Sequence, residues 1–163
     1  MSLAKKKRQN ASQKARISNR KARYRFQIIE KIECGLALRG TEVKSLRGGQ
    51  ATLDEGYARV RDGEVFLVGV NIATYPSAAG TLQHDPLRER KLLLRRRQIV
   101  QLETHVKQKG RTLVPLAIYF ERGWAKCELG VAVGKRQYDK RESIRKRDQQ
   151  RDMAREMHRR RRK

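Results

Sequence analysis

The chain has 163 residues, 41 Lys+Arg against 17 Asp+Glu and a formal net charge of +24, which fits one domain with tails and points to nucleic acid or an anionic membrane surface as partner. No apolar run approaches the ~20 residues of a membrane span. The start, Met1-Ser2-Leu3-Ala4-Lys5-Lys6-Lys7-Arg8, has no apolar stretch behind its basic residues, so no secretory signal is expected.

The charge is unevenly placed. Residues 1–23 hold nine Lys/Arg and no acid, and residues 135–163 hold fourteen against five, so each end carries +9. Residues 24–134 carry only +6 and nearly all the large apolar side chains. The expected organisation is a basic, largely flexible N-terminal arm (1–23), a folded centre (24–134) and a basic C-terminal tail (135–163). Arms of this composition cannot bury enough surface to fold alone. They suit the neutralisation of phosphates. A membrane-binding arm would need large apolar residues along one face, and the tail offers Ile144, Met153 and Met157.

In chain order, Tyr24–Leu38 alternates: Tyr24, Phe26, Ile28, Ile32, Cys34, Leu36 and Leu38 share one parity, which predicts a long half-buried strand. Gly35 inside it predicts a bend or bulge. Gly40-Thr41 opens a short helix with Thr41 as cap, stopped by Gly48-Gly49. Strands are expected over Ala51–Val60 and Glu64–Ile72, with Asp62-Gly63 as a hairpin turn. A loop with Tyr75-Pro76 and Ala79-Gly80 follows. Asp85-Pro86 predicts a helix start, with Leu92, Ile99, Leu102 and Val106 at helical spacing up to Gly110 and a break possible near Arg95. The last strands are Thr112–Phe120 and Trp124–Val133, turning at Arg122-Gly123. Pro115 cannot donate to a ladder, so its strand is an edge or is bulged there. At least five strands with one crossover helix predict a mainly β fold, an OB-like closed β-barrel with Greek-key features and one or two flanking helices.

No catalytic or metal centre is expected. His84, His105 and His158 have no ligand spacing, and no HExxH, CxxC or P-loop occurs. Cys34 and Cys127 are isolated and read as buried free thiols of a reduced, cytosolic protein, without a disulfide. No cofactor is expected.

Several linked segments resemble one family. Asn19-Arg20-Lys21-Ala22-Arg23 leads into a strand ending Glu33-Cys34-Gly35-Leu36-Ala37-Leu38. Gly40-Thr41-Glu42-Val43-Lys44-Ser45-Leu46-Arg47 follows, then His84-Asp85-Pro86-Leu87-Arg88-Glu89-Arg90-Lys91-Leu92-Leu93-Leu94, the run from Lys109 to Phe120, and Tyr138-Asp139-Lys140-Arg141-Glu142. Their order and spacing, over residues 17–155, resemble SmpB, small protein B, the SsrA-binding proteins of bacteria. The resemblance implies a monomeric OB-type barrel that binds the tRNA-like part of transfer-messenger RNA. It also implies a role in trans-translation, the rescue of stalled ribosomes, with the C-terminal tail becoming helical in the decoding centre and mRNA channel. The elongation factor that carries aminoacyl-tRNA is implied as a further partner. Val133 and Tyr138 depart from the commoner family pattern.

Carried onto this chain, the resemblance implies RNA contacts at Asn19, Arg20, Lys21, Glu33, Lys44, Arg88, Arg90 and Lys91. It implies ribosome contacts at Gly134, Lys135, Arg136, Tyr138, Asp139, Lys140 and Arg141. The cations suit phosphates. Asn19 and Glu33 suit base or 2′-OH hydrogen bonds, although Glu33 could equally be an internal ion-pair partner. Leu92 and Leu93 read as core. Two other functions fit the composition: a basic OB-type ribosomal structural protein, and, lacking any titratable constellation, an RNA-processing enzyme.

Overall fold

The computed structural model describes residues 16–78 and 83–135 and, beyond them, the helical positions Gln149, Met153 and Met157. The elements run β1 (Ile17–Ser18), α1 (Arg20–Arg25), β2 (Phe26–Leu36), α2 (Gly40–Arg47), β3 (Ala51–Thr52), β4 (Tyr57–Arg61), β5 (Glu64–Val68), β6 (Asn71–Ile72), β7 (Arg90–Leu93), α3 (Arg96–Lys107), β8 (Arg111–Glu121) and β9 (Trp124–Gly134). The fold is mainly β. Pairing runs β8-β4-β5-β7-β2-β9 and returns from β9 to β8, so six strands form a ring, with β1 added antiparallel to β8. The short β3 and β6 pair separately.

The hairpin turns follow local chemistry. Asp62 (φ +53°) and Gly63 (φ +69°) reverse the chain between β4 and β5, and Arg122 (φ +49°) and Gly123 (φ +86°) do so between β8 and β9. Two left-handed residues match the twist of the flanking strands. The two expected strands around Asp62-Gly63 are each split in two. Gly69 (φ +71°) packs so tightly that a Cβ there would lie 2.8 Å from the Glu55 carbonyl oxygen, and at this kink the chain leaves the ring.

Alternation predicted one buried face, yet there are two. Ile32, Cys34 and Leu36 of β2 point into the ring with Val65, Leu67, Leu92, Leu113, Ile118 and Leu129. Phe26 and Ile28 instead pack outside it, on a second cluster of Ala22, Val114, Leu116 and Ala132 under α1. A β-bulge between Ile28 and Glu30 exchanges the two faces of β2, and one between Pro115 and Ala117 does the same in β8. Pro115 thus stands at a bulge in a central strand, as its missing N–H requires. The bulge of β2 lies at Ile29 and not at Gly35.

Three local expectations need correction. Tyr24 and Arg25 belong to α1, whose cap is Asn19. Thr41 does not cap α2: the Arg39 N–H donates to Glu42 Oε2 (2.7 Å), while Thr41 Oγ1 faces His84 Nδ1 (2.9 Å). Asp85-Pro86 starts no helix. The Asp85 carboxylate accepts the Leu87 N–H in a local turn, and Arg90–Leu93 then alternates buried and exposed as β7. Helical structure begins at Arg96, beyond the Arg95 break, and seats Leu102 and Ile99 on the core.

Candidate nucleic-acid interface

Strand register places Tyr119 of β8, Lys126 of β9, Gly35 of β2 and Leu93 of β7 in one row across four strands. Gly35 makes a notch in this row, because a Cβ there would press on Leu93 Cβ at 3.1 Å. Above the notch opens a cleft of about 560 Å³ lined by Leu38, Val43, Leu93, Phe120, Trp124 and Lys126. Trp124 is 76% exposed and Leu93 53% exposed. Large apolar groups left this open mark a binding surface when polar groups rim them. A second recess of about 460 Å³ continues past Glu33, Arg95 and Gln98.

The rim is electrostatically fixed. Lys126 Nζ donates to Glu33 Oε1 (2.5 Å) and to Glu121, and the Tyr119 hydroxyl donates to Glu33 Oε2. Those bonds, from Lys126 first and then Tyr119, hold the Glu33 carboxyl below the usual carboxylate range. Burial, then the bond to Glu33, pushes the Tyr119 phenol up to about 12. Hydrogen bonds to Glu121 and Glu33 raise Lys126 in turn. Next to this group, Arg16 and Lys31 pair with Glu128, and the Arg16 guanidinium lies 5.0 Å from the Tyr119 ring centre. Burial works to raise Glu128, but these two cations outweigh it and its carboxyl is lowered. Arg47 covers the Phe120 ring at 5.4 Å. All these states are set away from neutral pH, so the rim offers fixed donors, acceptors and ring faces rather than proton transfer.

Beneath the cleft lies a buried hub that sequence reasoning missed. Glu42, fully buried, accepts from Arg88 Nε (2.9 Å) and Nη2 (2.5 Å), from Arg90 Nε (2.8 Å) and from the Arg39 N–H. Burial works to raise its pKa, yet the bonds from Arg88, Arg39 and Arg90 leave it lowered. Arg90 also donates to the carbonyls of Val70 (2.6 Å) and Pro86 (2.8 Å). His84 Nε2 lies 3.0 Å from the Ile72 carbonyl, which can only accept, so that nitrogen carries the proton and Nδ1 accepts from Thr41. The hub ties α2 to the segment 84–90.

The expected RNA-contacting residues therefore separate. Glu33 stands on the cleft rim, both an ion-pair partner and a half-exposed acceptor. Lys91 is exposed and pairs with Glu64, and Lys44 is exposed 5.0 Å from the Tyr75 ring centre. Arg20 is exposed on α1, and Lys21 pairs with Asp54 (2.8 Å). Arg90 is fully buried and Asn19 is 4% exposed, so neither reaches an RNA, against the expectation. Asn19 caps α1 by accepting the Ala22 N–H (2.8 Å) and donates both amide hydrogens, to the carbonyls of Leu53 (2.9 Å) and Pro115 (3.1 Å). Arg88 is three-quarters buried, with its guanidinium held by Glu42 and the Glu89 and Ala37 carbonyls. Leu92 is core as expected, but Leu93 is a cleft residue. Trp124, Lys126 and Tyr119 were missed; the available signal was the chain's single Trp at the start of a strand, beside a turn.

At the other end of β9, Gly134 pairs with Phe26. Lys135 is anchored to the end of α1, its N–H on the Arg25 carbonyl (3.0 Å) and its Nζ on the Arg23 carbonyl (3.1 Å). Arg136, Tyr138, Asp139, Lys140 and Arg141 lie outside the described residues, as do residues 1–15 and the Ala79-Gly80 part of the loop. Gln149, Met153 and Met157 are helical and exposed. Cys34 and Cys127 face each other across β2 and β9 as buried free thiols, with Cys34 Sγ 3.1 Å from the Cys127 carbonyl oxygen. The bond with Cys34, then burial, raises the Cys127 thiol. No described helix is long and apolar enough to cross a membrane, and no group of three His, Cys, Asp or Glu that could hold a metal occurs among the described residues.

The chain matches the family described as SmpB protein over residues 16–159. It is 50% identical over 148 residues to the SsrA-binding protein of Gloeobacter violaceus, covering 91% of this chain and 97% of that one. It is 52% identical over 138 residues to the SsrA-binding protein of Salinispora arenicola, covering 85% and 86%. Among solved structures it is similar, at TM-score 0.65 and 47% identity over 80% of this chain and 95% of the other, to a chain described as "tmRNA-SmpB: a journey to the center of the bacterial ribosome". With the motifs in order along both the cleft and the hub, the chain belongs to the SmpB family of SsrA-binding proteins.

Proposed function

We propose that this protein is an RNA-binding adaptor that holds the tRNA-like part of transfer-messenger RNA and brings it to stalled ribosomes for trans-translation, acting in the cytoplasm and without catalytic chemistry of its own. The observation that carries the reading is Trp124, 76% exposed at the mouth of an apolar cleft whose rim is Lys126, Glu33 and Arg47. Folded RNA offers unpaired bases for stacking and phosphates for the cations. The Glu33 carboxylate can only accept, so it selects base amino groups or 2′-hydroxyls and rejects phosphate. Membership of a family of SsrA-binding proteins supports this over a permanent ribosomal component.

We read the six-strand ring as an OB-like closed barrel; the return of β9 to β8 and the filled interior support this. The C-terminal tail is the ribosome-facing part, with Gly134 to Arg141 at its root. It has no Gly or Pro after Gly134 and no continuous apolar face, so it is disordered free and becomes helical against ribosomal RNA. Calorimetric titration of the tRNA-like RNA tests the first half of the proposal. Trp124→Ala and Glu33→Gln should each weaken binding, and unchanged affinity in both would refute it. For the second half, Asp139→Ala with Lys140→Ala and Arg141→Ala should keep RNA binding and abolish tagging on stalled ribosomes; full tagging activity would refute it.

A further inference from the structure

We infer that the basic chain before Arg16 is part of the RNA-binding end of the molecule, lying along phosphates next to the Trp124 cleft, and that it does not act with the C-terminal tail. The inference rests on the cleft reading above, and direction carries it. β1 runs antiparallel to β8, with Ser18 opposite Ala117 and Ile17 opposite Ile118. Going backward along β1 therefore means going forward along β8, toward Glu121 and the turn that precedes Trp124. Arg16 is the last residue described in that direction. It lies over Tyr119, whose hydroxyl donates to the rim residue Glu33, and it pairs with Glu128.

The other basic segment departs elsewhere. β9 carries the chain from Trp124 to Gly134, ten steps or about 33 Å, and Lys135 is fastened to α1 at that far end. The two +9 ends are thus separated by the length of the ring. The chain before Arg16 holds Lys5, Lys6, Lys7, Arg8 and Lys14 and no acid. Fifteen residues reach at most ~50 Å, enough to follow an RNA helix away from the cleft. Residues this cationic, with no apolar partner of their own, are matched by phosphate rather than by bases.

The test compares three full-length variants, titrated with the tRNA-like RNA at a series of salt concentrations and read by the fluorescence of the single Trp. In the first, Lys5, Lys6, Lys7, Arg8 and Lys14 become Gln. In the second, the same number of tail cations, Arg145, Lys146, Arg147, Arg151 and Arg155, become Gln. The third is Trp124→Ala, read by calorimetry. The N-terminal variant should lower the slope of log affinity against log salt by about 3 or more, at ~0.7–0.9 per phosphate, and the tail variant by less than about 1. An unchanged slope in the N-terminal variant, with binding weakened by Trp124→Ala, overturns this inference and leaves the cleft reading standing. Equal losses of slope in both charge variants also overturn it, because the two arms would then be interchangeable. Trp124→Ala without effect overturns the cleft reading and this inference with it.

Discussion

The two ends of β9 are built on different principles. At the Trp124 end, side chains are left open: an indole, a leucine and a glycine notch, rimmed by groups whose charge states are fixed by one another. At the Gly134 end the bonds are mainly to backbone carbonyls, with Lys135 fastened to Arg23 and Arg25. The first end is a surface that recognises; the second is a mount that aims a basic tail. A ligand seated at one end leaves the other free, which is what an adaptor between two large RNAs requires. Neither end is made by local sequence alone. The cleft needs the Glu42 hub to hold α2 against the segment 84–90, and the mount needs the Ile28/Glu30 and Pro115/Ala117 bulges that open an outer face for α1.

Removing the hub acid should break this contrast most severely. Glu42→Gln leaves Arg90 buried without its counter-charge, so unfolding in denaturant should show a loss of about 3–5 kcal/mol. Glu42 has a lowered pKa in the folded state, so its contribution is full above the ordinary carboxylate range and is lost as pH falls through the folded value. The wild type should therefore lose stability in acid more steeply than Glu42→Gln. Parallel acid limbs in the two proteins would contradict the hub.

Trp124→Ala should separate recognition from folding. The side chain is exposed, so stability should change by no more than about 0.5 kcal/mol. RNA binding should weaken by about 1–3 kcal/mol if one base stacks there. Asn19→Ala should do the reverse. Loss of a helix cap costs about 0.5–2 kcal/mol of stability, while the folded fraction should bind RNA as wild type does. A selective loss of RNA affinity at full stability would restore Asn19 as a contact residue.

The smallest effect is spectroscopic. Of the five tyrosines, Tyr119 should ionise last, at about 12, because of burial first and the Glu33 carboxylate second. An absorbance titration at alkaline pH should show one late phenol, and Glu33→Gln should move it part of the way back. No late phenol in the wild type would remove the Tyr119–Glu33 bond from the rim.

Much of the ring was legible because its signals are local. Asp62-Gly63 and Arg122-Gly123 specify tight hairpins, and Pro115 announces a bulge by lacking a donor. The β7 segment was not legible. Arg90-Lys91-Leu92-Leu93 fits a helix as well as a strand, and what decides it is pairing to Val65 and Gly35 together with an ion pair to Glu42, all far away in sequence. The same distance effect governs the site. Glu33 was correctly singled out as an acid among cations and stands on the rim. Asn19 and Arg90 have the chemistry of contact residues but sit where carbonyls and a buried acid consume every donor. Trp124 and Lys126 draw their meaning from the cross-strand row through Tyr119 and Gly35, which no spacing along the chain discloses.

The central claim, that recognition sits at the Trp124 end and is independent of the tail, is tested most directly by the fluorescence of the chain's only Trp. The full chain and a chain ending at Lys135 are each titrated with the tRNA-like RNA at fixed salt. Both should show saturable quenching of Trp124, with affinities within about threefold of each other, since ~0.65 kcal/mol is the most that a non-contacting tail should change. RNA binding without any change in Trp124 emission, or loss of most specific binding on truncation, would contradict the account.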